Sequence, residues 1–256
     1  MAAFETSLAP VSLSPIVMQA VALGVEQDKI TTFLLPVQAS NHPIYNPSLD
    51  YSVYLSQPFF FVLFQVLILL ITVYAVGIEI KFRTADEWLF VAKGNMVTAV
   101  LGKLLPYTII FILIGWLANY VMFGILHIPF QGSWLLMNML TALFVVATQA
   151  LGLFLFSLFP AISLIISIVS MVGSLGATLS GVTFPVTNMY PLVRDASYLF
   201  PVRHFTEMMQ NMLYGGSGFI YLWPSVVILC IFPLLAFVLL PHLKRAIESN
   251  KYEKIK

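Results

Sequence analysis

Charged residues are scarce in this sequence. They make up 9% of its 256 residues, where a soluble globular domain carries about 25%. No Asp, Glu, Lys or Arg occurs from Pro58 to Ile78, from Leu104 to Val193 or from Met208 to Leu243. A soluble fold has no use for such runs, whereas about 20 consecutive apolar residues cross the hydrocarbon core of a bilayer once. Cysteine is nearly absent too. Cys230 is the only one, and it lies in an apolar run. A single cysteine excludes an internal disulfide and a cysteine-rich metal site, and it reads as a small buried hydrophobe. The net charge of +1 gives no ground for nucleic acid or any other strongly charged partner. The N-terminus lacks the basic region of a secretory signal, and Glu5 and Pro10 interrupt its first residues.

What is present is apolar: 60% of the residues are hydrophobic. The runs predict an all-α fold, a polytopic membrane helix bundle with five spans at 58–79, 104–126, 134–158, 161–183 and 219–241. Pro160 between the third and fourth spans implies a tight hairpin. Pro185, Pro191 and Pro201 punctuate an outer loop over 184–218. Lys and Arg collect on the cytoplasmic side of a membrane. Lys81, Arg83, Lys93, Lys103, Lys244, Arg245, Lys251, Lys254 and Lys256 fall on one side of the five spans, and only Lys29, Arg194 and Arg203 on the other. The 244–256 tail is therefore expected in the cytoplasm and the 1–57 segment outside. That segment reads as a helix, then a strand at Ile30–Leu35, then a turn-rich entry at Asn41–Pro47. An exported segment of this kind ordinarily follows a signal or an earlier span. The reading is thus that the start of a longer protein is missing, with one further span and half of an external domain; the alternative is spontaneous translocation of the N-terminal tail.

Four groups of residues are candidates for function. The loop from Glu79 to Gly94 holds a capping-box pattern, with Thr84 as N-cap and Glu87 three residues on. Trp88, Leu89 and Phe90 add an apolar patch suited to the membrane interface. The expected product is a short surface helix over 80–94, either a plain connector or a docking helix for a cytoplasmic partner. In the fourth span Gly173, Ala177 and Gly181 recur every four residues beside Ser163, Ser167, Ser170 and Ser174, a spacing that lets helix backbones approach in lipid. Such a face serves packing within one subunit or contact with another. The third span carries Asn138, Thr141, Thr148 and Gln149, and the first carries Gln65 and Thr72. Polar side chains in hydrocarbon pair with one another or face a cavity, so these serve interhelical hydrogen bonds or a substrate path. The outer loop holds Arg194, Asp195, Arg203, His204 and Glu207; His204 and Glu207, at i and i+3, share a helical face but supply too few ligands for a metal.

Several of these residues fall in a known order. Glu79, Thr84 and Glu87-Trp88-Leu89 are followed by Gly102-Lys103 and Pro106-Tyr107. Later come Ser180-Gly181, Phe184-Pro185, Met189-Tyr190-Pro191 and Phe200-Pro201-Val202-Arg203-His204-Phe205, with Asn46-Pro47 ahead of the first span. Over residues 44–242 the chain resembles the ABC-2 type permeases of ATP-driven exporters, in the bacterial cytoplasmic (inner) membrane. That family has six spans and an external domain after the first, against five here. A glycine often precedes its loop threonine, where this chain has Arg83. The resemblance implies that 80–94 is the coupling helix seated on an ATP-binding subunit, with Glu79, Arg83, Thr84, Glu87 and Trp88 as contacts. Gly102 and Lys103 would anchor the second span, Lys103 either there or by snorkelling to the lipid headgroups. Phe184, Pro185, Pro201, Arg203 and His204 would belong to an outer gate of short re-entrant helices. A second permease copy or a paralogue, membrane lipid and a periplasmic adaptor are the other implied partners.

The chain itself carries no P-loop. Gly102-Lys103 is followed by Leu104, and Val97 stands where the first glycine of that motif belongs. ATP and magnesium are therefore expected on the partner, with no cofactor and no enzyme activity here. The competing expectation is a secondary transporter or channel working without an ATPase. The lack of ionisable residues in the span cores argues against it. Ser180-Gly181 is the one faintly catalytic pair, and no histidine stands at a matching depth.

Overall fold

The computed structural model describes residues 51–249, apart from 129 and 216–218. The helix and strand expected within 1–50 lie outside the described residues. All regular structure that is described is helical: α1 Tyr51–Lys81, α2 Ala85–Val91, α3 Met96–Asn119, α4 Trp134–Leu158, α5 Ile162–Leu179, α6 Pro191–Ser197, α7 Pro201–Gln210 and α8 Phe219–Glu248. Five of these, α1, α3, α4, α5 and α8, are long and apolar enough to cross a membrane. The fold is a polytopic helical membrane bundle.

Three of the spans, α1, α3 and α8, are longer than hydropathy alone marks them. α1 runs back through Pro58, because a missing N–H is tolerated within a lipid-embedded helix whose neighbours satisfy the freed group. α3 begins at Met96, where the Asn95 side chain accepts from Val97 N at 3.0 Å and Thr98 N at 3.4 Å and caps it. Gly102 and Lys103 therefore sit inside this helix, not at its start. At its other end α3 loosens into a π-turn over Tyr120–Ile125, a wide turn that composition does not signal. α5 stops at Leu179, short of 183, which leaves Gly181 beyond the helix at φ +87°.

α4 is the centre of the bundle. It packs against α8, α1 and α3, and two thirds of its core window, 67%, is buried. Phe159-Pro160-Ala161 turns the chain tightly into α5, yet α5 does not lie along α4. It lies against α1, so α1 is held between the two arms of the hairpin. α8 offers one face to the bundle: Leu222, Ser225, Leu229, Phe232, Ala236, Leu240, Leu243 and Ile247, spaced by three and four, are all buried. Cys230 stands on the opposite face and is exposed, contrary to its reading as a buried hydrophobe. The 3.6-residue period places it there, one position past Leu229.

Where lipid replaces water, helices are held by close packing and by interhelical hydrogen bonds. Both occur here. Asn119 Nδ2 of α3 donates to Asn138 Oδ1 at 3.2 Å and Thr141 Oγ1 at 2.9 Å on α4. Thr108 Oγ1 of α3 bonds the Gln149 side-chain amide of α4 at 2.7 Å. On α5 the close contacts are at Gly173 and Gly176: a Cβ there would stand 2.9 Å from Val66 and 2.6 Å from Gln65 Nε2, both on α1.

Candidate functional site

One end of the bundle carries α2 and the end of α8. α2 is a seven-residue helix, and its orientation is fixed by what lies behind it. Ala85 and Leu89 are buried against the bundle. Trp88 is half-buried, and its ring Nε1 donates to Ala99 O of α3 at 3.2 Å. Lys103 Nζ lies 5.7 Å from the centre of the Trp88 ring and is ion-paired with the Glu79 carboxylate at the end of α1. Thr84 Oγ1 donates to the other oxygen of the same carboxylate. Glu79, Thr84, Trp88 and Lys103 thus form one knot that ties α1, α2 and α3 together.

The capping box is not formed. Thr84 does occupy the N-cap position, but its hydroxyl makes no capping bond. Its backbone, at φ −97° and ψ 4°, lacks the extended conformation that aims an N-cap oxygen at the helix amides, and its hydroxyl donates to Glu79. Glu87 is left exposed. Nor do Trp88, Leu89 and Phe90 form one patch. The outward face of α2 is Asp86, Glu87, Phe90 and Val91, with Phe90 84% and Val91 82% exposed. A groove lined by Asp86, Leu89, Phe90, Val91, Lys93 and Gly94 runs beside it. Phe90 and Val91 are the residues that sequence reasoning missed as outward-facing. The spacing 86, 87, 90, 91 was the available signal, once Leu89 is taken as the inward residue.

Arg83 sits at φ +59°, the left-handed region that glycine occupies at no steric cost. With the side chain removed in both variants, R83G should be more stable than R83A by about 1 kcal/mol. Thermal unfolding of the two purified proteins measures it, and equal melting temperatures would show that the turn imposes no such demand.

At the opposite end α6 and α7 fold over the bundle. Phe205 of α7 enters between α1 and α4, 4.6 Å from the ring of Phe61 and 4.7 Å from that of Phe144. Gln65 Oε1 of α1 accepts from Val202 N at 2.8 Å. Pro201, Arg203 and His204 are buried, whereas Phe184 and Pro185 are exposed. His204 and Glu207 do not act together. Glu207 accepts from Arg203 Nη1 and from Ser225 Oγ, each at 3.2 Å. His204 Nε2 lies 3.0 Å from Tyr198 O, and burial pushes the His204 pKa below its ordinary value. Ser180, the residue of the faintly catalytic pair, donates to Ala177 O at 2.8 Å and closes the turn after α5.

Of the span residues, Asn138, Thr141 and Gln149 bond to α3 as described, Gln65 bonds to α7, and Thr148 is fully buried in α4. Gly173 packs on α1, Ala177 is half-buried, and Ser163, Ser167, Ser170, Ser174 and Thr178 form an exposed hydroxyl stripe along α5.

The bundle thus carries the charged, tethered helix α2 at one end and the short helices α6 and α7 at the other. Residues 10–240 match the ABC-2 family transporter protein family, so the chain belongs to the ABC-2 transporter family. It is 31% identical over 109 residues to the inner membrane transport permease YhhJ of Escherichia coli K12, a stretch covering 41% of this chain and 28% of that one. To the probable multidrug ABC transporter permease YbhS of the same organism it is 26% identical, over 53% of this chain and 36% of YbhS. To YbhR, which carries the same description, it is 24% identical, over 71% of this chain and 49% of YbhR. The matches thus span about half or less of each relative's length. No solved structure matches the chain.

Proposed function

We propose that this chain is the transmembrane subunit of an ABC exporter in the bacterial inner membrane, driven through α2 by a separate ATP-binding subunit that holds the ATP and magnesium. The observation that carries this reading is the two-sided character of α2. Its inner face is knotted to α1 and α3 through Glu79, Thr84, Trp88 and Lys103. Its outer face offers an acidic pair and an apolar pair, Asp86 with Glu87 and Phe90 with Val91, to a partner beyond the end of the bundle. An apolar cleft with a basic rim is the complement that such a face fits.

In this reading the α2 end and the 244–256 tail are cytoplasmic, as the distribution of Lys and Arg supports. α6 and α7 close the outer end. Hydroxyls exposed to lipid gain nothing, so the stripe from Ser163 to Thr178 on α5 is assigned to a path between two permease copies. YbhS and YbhR are probable multidrug ABC transporter permeases, which supports export as the direction. A periplasmic adaptor is a compatible further partner.

The test is co-purification with an ATP-binding subunit co-expressed from the same genome. E87K and F90S should each abolish capture while the permease stays folded. Capture that survives deletion of residues 80–94 would end the proposal.

A further inference from the structure

The knot around Glu79 joins α2 to α1 and α3, but α2 also touches α8. Lys244 Nζ, near the end of α8, donates to Gly94 O in the turn after α2 at 2.7 Å. Two residues earlier His242 Nδ1 lies 2.9 Å from Ser157 O, at the end of α4. One residue before that is Pro241, inside α8. Proline has no N–H and its ring crowds the preceding turn, so a helix bends most readily there.

These three residues make a lever. Pro241, the last of three prolines in α8 with Pro224 and Pro233, lets the helix bend there, the His242–Ser157 bond fixes the helix to the central span beside it, and the arm beyond carries Lys244. We infer that Lys244 is a positioning residue that transmits the displacement of α2 to the last span. The inference rests on the reading of α2 as the contact for an ATP-binding subunit, and it adds a second route to the one through Glu79 and Lys103. The Lys244 bond makes Gly94 pull this end of α8 with it, which the packing of α2 on α8 alone does not do. Lys244 also lies 3.7 Å from Glu248 on its own helix, and an ammonium has protons enough for both. A charge-assisted bond biases a two-state equilibrium by roughly tenfold or more, so its loss uncouples α8 without requiring the bundle to unfold.

The chain supplies its own reporter. Cys230 is the only cysteine, it is exposed on α8, and it lies about 21 Å along the helix from Lys244, beyond Pro241. In the complex with the ATP-binding subunit, a bimane label on Cys230 should change its emission when ATP and orthovanadate are added. K244M should lose more than half of that change, with capture of the ATP-binding subunit and ATP hydrolysis unaltered. K244R should retain the change, as should E248Q, which leaves the Gly94 bond in place. K244Q, with a shorter neutral donor, gives a second disrupting variant should K244M fail to fold, and should fall between K244M and K244R. A full emission change in K244M or K244Q, or none in the native complex, overturns the inference. Failure of the native chain to capture the ATP-binding subunit strikes the proposed function itself.

Discussion

K103M should lower the stability of the purified protein by roughly 2 kcal/mol, and E79Q combined with it should recover part of that loss. The pair is neither exposed nor fully buried, with both side chains 18% accessible. Exposed pairs contribute about 0–1 kcal/mol, while breaking a buried pair costs about 3–5 kcal/mol. This pair stands between the two, above the exposed range because Thr84 and Trp88 close over it. K103M leaves the Glu79 carboxylate with Thr84 as its remaining hydroxyl donor and removes the cation beside the Trp88 ring. Neutralising Glu79 as well removes the orphaned charge but not the lost contacts, so recovery is partial. Melting temperatures of K103M, E79Q and the double variant form the cycle. Strict additivity of the two single losses would show that Glu79 and Lys103 do not interact.

F205A should cost more, about 3 kcal/mol. Truncating a buried phenylalanine leaves a cavity and costs about 3–5 kcal/mol in well-packed interiors. Phe205 is fully buried between Phe61 and Phe144, themselves fully buried. In lipid the lost ring contacts are not offset by any gain in solvation, because the hydrocarbon is as apolar as the cavity wall. For a chain of this size the loss corresponds to a melting temperature lower by on the order of 10 °C. F205L fills part of the space and should lose less. If F205A melts with the native protein, the three rings do not seat α7 in the bundle.

The five spans were legible in the sequence because lipid imposes one requirement, apolar length, that composition states directly. The site was less legible. The pattern Thr84 to Glu87 predicted a capping box, and only the fold brings the end of α1 close enough for Glu79 to take the Thr84 hydroxyl. Cys230 was misplaced because an apolar run on a membrane helix does not say which face meets lipid. The glycine stripe marks Gly173, where a Cβ would stand 2.9 Å from Val66. It passed over Gly176, which no four-residue repeat marks and which only the position of Gln65 on α1 makes necessary. Asn119 and Thr108 were overlooked for the same reason, since each becomes significant through a partner on another helix.

The seating of α1 between α4 and α5 has a consequence for how the chain is made. α4 and α5 are joined by only Phe159, Pro160 and Ala161, yet each packs on α1 far more than on the other. α1 is synthesised earlier and waits in the bilayer. A hairpin inserted after α1 would then close on a helix already in the bilayer, and α5 would find most of its packing surface there. A fragment that starts after α1 would leave α5 ungripped, so the order in which the ribosome delivers these helices is part of what assembles them.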